Sequence, residues 1–481
     1  MFVFQESELE RILDIIITNM TPQRSPSQKP VPANIIFLSA RYAHYHGSPD
    51  LLATLLVTAM DKINEVIEKY QWDMTVLAFW MSNATLLLHY LKKDSGLVEA
   101  STEFQLQMAE LINEIFILII RDAERRMDKV LDQSMLEHEA MPGFEDVQFQ
   151  HEWKIFRTKA KVKPIEPIEK RYRPPSPKRR MQPSPRNITS LLSSTLFVLD
   201  LYDIHSVIAA QVLSQLLYWL SAEMFNRIMS NRKYLARTKA MQIRMNVSTL
   251  EDWARSNNRQ PEHYENGSMT STGENTVDSA KRHLEPLVQL LQWLQCLSSL
   301  GENLESLVGT LQQLPRLSPE QLLHSAKYYR PEVGESNLPK SASKYIIHLQ
   351  KAAADRKAAR AKSPNPQQPP PGSAPSTPVK PTAKAAAIPS PAPSRLAEED
   401  VEDTPNDLLL DPSYMLPFSL PTSTDMLITY GAGFGGVNKE QERKYIPTVP
   451  PEFLAKLDLG GGNKNVDSLY NNNSWEESNY G

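Results

Sequence analysis

Lys239-Ala-Met-Gln-Ile-Arg-Met-Asn-Val-Ser-Thr-Leu-Glu-Asp-Trp253, with the apolar run Leu213–Met229 just before it, decides how this chain reads. The run has the three-and-four spacing of a buried helix. Ser248-Thr-Leu-Glu251 matches a capping box, so the spacing predicts a short polar connection and a second helix that starts at Ser248. The stretch contains no nucleophile–base pair, metal cluster or phosphate loop. Capping accounts for Ser248 and Glu251, but Gln242, Arg244 and Asn246 follow no local rule. Either they hold two helices together by buried hydrogen bonds, which is the favoured use, or they face a partner.

Outward from there, helical pattern runs from Ile188 to about Gln350, with a polar gap at 257–276, and Ser318-Pro-Glu-Gln321 is a second capping box with proline at the first helical position. Toward the N-terminus the pattern fills Glu6 to about Trp153. Ser7-Glu-Leu-Glu10 reads as a capping box ahead of Leu9, Ile12, Leu13 and Ile16. Further helices are expected at Leu51–Tyr70, Trp72–Lys92 and Phe104–Val130. The last two are apolar over more than half their circumference, as in the interior of a bundle.

Between the two helical halves, residues 157–186 hold eleven Lys or Arg against two Glu. Such a segment cannot bury enough apolar area to offset its ordering entropy, so a disordered basic linker is expected. Residues 351–405, rich in Ala, Pro, Lys and Ser, read the same way. Apolar residues return at Leu408–Leu410, Tyr414–Leu420, Met426–Tyr430 and Phe453–Leu457, which predicts a segment packing back on the core. The 37 prolines against 17 glycines are concentrated in these tracts. A formal net charge of −4 argues against a protein that coats nucleic acid. The single cysteine, Cys296, excludes an intrachain disulfide framework. The N-terminus lacks the basic flank and apolar core of a signal peptide, and Ser206–Ala222, the longest charge-free run, is too short and polar for a membrane span. A cytosolic location is therefore expected.

Several segments, taken in chain order, resemble the dilute domain, the globular cargo-binding tail of class V myosins that also occurs in afadin-like adhesion scaffolds. They are Leu77–Lys92, Gln211–Leu220, the Ala240–Trp253 signature, Leu284–Gln295, Leu317–His324 followed by Tyr329-Arg-Pro-Glu332, and Met415–Asp425. No motor, P-loop, coiled coil or ankyrin repeat accompanies them, so the resemblance is to free-standing fungal dilute-domain proteins. It implies a rod of two helical subdomains with the C-terminal segment folded back along it. It also implies an adaptor that receives Rab-type small GTPases and organelle receptors. Class V tails often have an aromatic residue where this chain has Met245.

Other signals have plainer explanations. Gly431-Ala-Gly-Phe-Gly-Gly436 satisfies a dinucleotide fingerprint but lacks the following helix, and Ile446–Pro451 cannot supply one. His44 and His46 have no third ligand at metal spacing. Cys296 is expected to be a buried, inert thiol, and no Gly-x-Ser-x-Gly elbow presents a serine. Tyr218, Trp219, Met224, Phe225 and Met229 are read as core, with a groove for a partner helix as the alternative.

The expected architecture is an elongated all-α, two-subdomain multi-helix bundle. Its helical subdomains are 1–156 and 188–350, its linker 157–187, its insert 351–405, its returning segment 406–458 and its tail 459–481. The expected function is a non-catalytic adaptor, cytoplasmic and peripheral on vesicle or Golgi membranes, with no cofactor, small-molecule substrate or nucleic acid; a cortical scaffold of the afadin type is the alternative. Gln242, Arg244, Met245, Asn246, Gln289 and Gln292 are the partner-binding candidates. Arg171, Arg173, Ser176, Lys178, Arg179, Arg180 and Ser184 are expected to form a linker that touches anionic membrane and loosens on phosphorylation.

Overall fold

The computed structural model describes residues 2–139, 147–150, 182–265, 268–300, 303–362, 408–431 and 439–459. The first half runs α1 (Leu9–Leu13, continued by a wide turn at Asp14–Thr18), α2 (Val31–His46), α3 (Pro49–Lys69), α4 (Met74–Lys93), α5 (Leu97–Ala100) and α6 (Thr102–Leu131). The second runs α7 (Pro185–Leu201), α8 (Ser206–Ser230), α9 (Arg237–Ser256), α10 (Thr276–Cys296), α11 (Leu304–Gln312), α12 (Pro319–Tyr328) and α13 (Lys340–Lys362). Three short helices follow: α14 (Met426–Tyr430), α15 (Lys439–Lys444) and α16 (Pro451–Leu459). A two-stranded antiparallel hairpin, β1 (Glu262–Glu265) and β2 (Ser268–Ser271), joins α9 to α10 and pairs Glu262 with Ser271.

Helix starts follow the sequence where the cap is local. The Asp73 carboxylate accepts the Thr75 and Val76 amides at 2.9 and 3.3 Å and starts α4. Ser318 and Gln321 cap each other's main chain at the head of α12, as the capping box requires. At the N-terminus the box sits two residues earlier than expected. Glu8 accepts the Gln5 amide at 3.0 Å, while Glu10 is drawn away by Lys62 at 2.8 Å.

Three boundaries differ from the sequence expectation. α7 begins at Pro185, inside the span read as linker, because Ser184 caps it and Asn187 accepts the Ser184 amide at 2.9 Å. Ser184-Pro185 is thus a folded helix start with a buried proline. Arg171, Arg173, Ser176, Lys178, Arg179 and Arg180 lie outside the described residues, as does the 459–481 tail beyond Leu459. α13 continues past Gln350 to Lys362, where Ala- and Lys-rich sequence favours helix. Finally, α9 is one unbroken helix from Arg237, with no start at Ser248.

α4 is buried nearly all round and α6 packs on it, and α6 also meets α7 and α8. The two halves therefore share one hydrophobic core that runs from Phe4 to Phe453. Among the described residues, α4 alone is long and apolar enough to cross a membrane, and 89% of its apolar window is buried inside the fold. Trp219, Met224, Phe225 and Met229 are buried in α8, so this row is core.

Candidate partner-binding surface

The polar residues of α9 hold the crossing from the first half to the second. Asn246 is 1% exposed, and its amide donates to the carbonyls of Met135 at 3.0 Å and His138 at 2.9 Å. Lys233 and Lys239 pair with Glu137 and Glu139 on the same crossing segment. Gln242, 2% exposed, is likewise enclosed and bonded within the chain. Farther along, Gln148–Gln150 lies against Pro331–Val333. The Gln150 amide donates to Pro331 and the Val333 amide to Gln148, while the Arg330 guanidinium sits 3.9 Å over the Phe149 ring.

This arrangement also explains why Ser248 starts no helix. The head of α9 is capped from far away: Glu332 Oε1 accepts the Thr238 amide at 2.9 Å and its hydroxyl at 2.7 Å. Inside the helix, Ser248 donates back to the Met245 carbonyl and Glu251 pairs with Arg244 at 3.2 Å. Gln289 is 4% exposed; its amide reaches Glu285 and its oxygen accepts the Arg316 main-chain amide at 2.8 Å. Of the six candidates, then, Asn246 and Gln289 are internal struts and Gln242 is enclosed. Met245 (47% exposed), Gln292 and the half-exposed Arg244 reach the surface.

A second site escaped the sequence reading. Residues 408–420, without helix or strand, run back along α8 and are held by a row of carboxamides. Asn226 takes both main-chain groups of Leu410, donating at 2.8 Å and accepting at 2.9 Å. Gln215 donates to the Tyr414 carbonyl at 2.9 Å and accepts the Leu416 amide at 2.8 Å. Gln211 takes both groups of Ser419, at 2.8 and 2.7 Å. Tyr218 adds a bond to the Asp411 carbonyl at 2.7 Å, and Phe418 stacks on Phe116 of α6 at 4.2 Å between ring centres. Gln211 and Gln215, one turn apart within the charge-free run Ser206–Ala222, are the signal that could have revealed this seat.

The helical scaffold around these two features has known counterparts. Residues 211–333 match the model of the DIL domain. That span opens at Gln211, the end of the carboxamide row, and closes at Val333, beside the cap of α9. The chain carries a DIL domain. It is 34% identical over 352 residues to a dilute domain-containing protein of Schizosaccharomyces pombe, covering 72% of this chain and 58% of that one. Over 464 residues it is 22% identical to a dilute domain-containing protein of Saccharomyces cerevisiae, covering 71% and 52%. The chain thus spans little more than half the length of these relatives. It is also homologous to human unconventional myosin-Va, at 25% identity over 344 residues, 68% of this chain and 16% of that one. Among solved structures, the yeast myosin 5 cargo binding domain superposes with a TM-score of 0.52 at 16% identity, covering 76% of this chain and 88% of the other. The fold is therefore that of a myosin cargo-binding tail.

Among the described residues of the DIL domain, one serine hydroxyl meets a histidine ring. Ser214 Oγ lies 2.9 Å from His283 Nε2 and accepts from Ser279. Burial, with Arg282 and Arg316 nearby, pushes His283 down to about 4, which makes it a weak base. Among the described residues no carboxylate is bonded to its other nitrogen, as general-base catalysis by a triad would require. His205 is also held neutral, by burial; it caps α8 and its Nε2 bonds the Asp425 carbonyl at 3.0 Å. No group of three or more His, Cys, Asp or Glu among the described residues could hold a metal, and His44 and His46 rest against Tyr45 and Tyr42. Cys296 is partly exposed at the end of α10, not buried as expected. Gly431 takes the left-handed φ of 86° after α14, and the rest of the glycine motif, residues 432–436, lies outside the described residues.

A cavity of about 320 Å³ opens between α2, α4 and the C-terminal segment, lined by Phe37, Arg41, His89, Tyr430 and Tyr445 among others. Arg41 is paired with Asp94 at 3.1 Å, and burial beside Lys93 holds His89 neutral, near 4. It offers shape and polar contact.

Proposed function

We propose that this chain is a non-catalytic adaptor of the dilute type that binds a Rab-type small GTPase and a receptor on vesicle or Golgi membranes. In this reading it is cytoplasmic and peripheral to those membranes. The observation that carries it is the use to which the DIL domain puts its polar residues. Gln242, Asn246, Gln289 and Glu332 all bond inside the chain, so the domain is a fixed frame offering surfaces, with Met245 and Gln292 outward. A protein partner is supported by a structure of the same fold, Myo2-GTD in complex with Smy1, which superposes with a TM-score of 0.51. The basic residues Arg171, Arg173, Lys178, Arg179 and Arg180 would add anionic membrane to the contacts, each contributing around 1 kcal/mol near such a surface.

The test is capture of binding proteins from cytosol by the full chain, run in parallel with a nonhydrolysable GTP analogue and with GDP. A small GTPase retained only with the analogue, and lost from Met245→Glu with unchanged thermal stability, is the expected result. Equal recovery in both arms would remove the effector reading and leave a scaffold of the afadin type.

A further inference from the structure

We propose that the face of α8 bearing Gln211, Gln215 and Asn226 is a docking site for an extended, apolar, proline-containing segment of a partner protein, with residues 408–420 as its exchangeable resident. From Asn226 to Gln211 the helix rises about 22 Å. The strap covers that distance between Leu410 and Ser419, whose fully stretched reach is about 30 Å. It is therefore largely extended and runs antiparallel to α8. The carboxamides address only main-chain N–H and C=O groups. Every peptide carries those groups, so recognition resembles strand addition, in which backbone bonds hold and a few side-chain seats select.

The strap indicates what such a partner looks like. N–H groups are required at the positions of Leu410, Leu416 and Ser419, and Pro412 and Pro417 fall between them. Proline there limits the unbound conformations and lowers the entropy lost on docking. The aromatic seat on Phe116 and the partly covered seats of Met415 and Leu420 ask for apolar side chains.

The resident is held lightly enough to leave. Leu408, Leu409, Leu410, Met415, Phe418 and Leu420 are only partly buried, whereas Met426, Ile428 and Tyr430 immediately after them are buried. Segments with few fully buried apolar groups open below the global unfolding free energy. The vacated face would remain soluble, because Gln211 and Asn226 at its two ends are already half-exposed and polar. This site is separate from the Met245 surface, so failure of either proposal leaves the other standing.

Two measurements on the full chain test it. Hydrogen exchange should show the amides of Leu410, Leu416 and Ser419 exchanging at least about 100-fold faster than the interior of α8. Equal rates would mean that the strap leaves only on global unfolding, and would overturn the proposal. The second measurement is fluorescence anisotropy with a labelled peptide of residues 408–420. Phe418→Ala loosens the resident and should bind the peptide roughly tenfold more tightly than the native chain, because a larger fraction of the face is free. Adding Gln215→Leu, or the more exposed Gln211→Leu should the first variant not fold, should abolish that binding. No binding to Phe418→Ala, or equal affinity for all variants, would overturn it. So would a concentration-dependent dimer of Phe418→Ala that the peptide dissolves, since the seat would then belong to a second copy of this chain.

Discussion

Asn246 and Met245 are neighbours in the same signature with opposite fates. The Asn246 amide meets two main-chain carbonyls inside the fold, while Met245 projects into solvent. Asn246→Ala strands both carbonyls and is expected to cost about 2–3 kcal/mol; Met245→Ala should stay within about 0.5 kcal/mol. Thermal unfolding of the two variants checks the pair, and equal effects would contradict the assignment. Glu124, on α6 beside Glu223 of α8, is a second informative residue. Burial foremost, then Glu223, raises it to about 7, with Arg121 opposing. Its folded value lies above the unfolded one, so its stabilising effect is complete below about 4.5 and fades as pH rises through 7. Glu124→Gln should therefore stabilise the protein at pH 8 by up to about 3 kcal/mol and have little effect at pH 4. Unfolding midpoints at the two pH values decide it.

At the level of elements, legibility tracked whether a cap was local. Ser318-Pro-Glu-Gln321 carries its whole signal in four residues, and α12 starts there. Ser318→Ala should lower stability by about 1 kcal/mol in denaturant titration. Ser248-Thr-Leu-Glu251 has the same pattern but is interior to α9, because the cap that matters is Glu332, 94 residues away from Thr238. Glu332→Ala should consequently fray the head of α9 and expose the Thr238 amide to exchange; an unchanged rate at Thr238 would refute that cap. The α8 seat was illegible for a related reason. Gln211, Gln215 and Asn226 look like scattered polar residues until a segment about 200 residues later in the chain lies down on them.

For the molecule as a whole, acid should be destabilising, and the magnitudes say why. His89 and His283 are both pushed from 6.5 to about 4, principally by burial. The unfolded chain binds protons there that the folded chain refuses, so stability falls as pH drops from about 6.5 toward 4. Each histidine contributes up to about 3 kcal/mol, and two of them outweigh the opposite trend of Glu124. The melting temperature should fall over that window, and the double variant His89→Gln, His283→Gln should flatten it. A slope unchanged by the double substitution would assign acid sensitivity to other groups.

The division between sequence and structure follows the range of the forces. Helical periodicity, local caps and the order of the dilute-like segments act within a few turns or read out linearly, so the all-α class and the dilute resemblance were legible from the residues alone. Which signature residues face a partner was not. Asn246 and Gln289 became struts only once the 132–139 crossing and the Arg316 turn were packed against them, while Gln242 is enclosed and Arg244, Met245 and Gln292 reach the surface. A buried amide and an exposed one are the same letter in a sequence. The distinction is made by long-range contacts that remove water from one of them and leave it around the other.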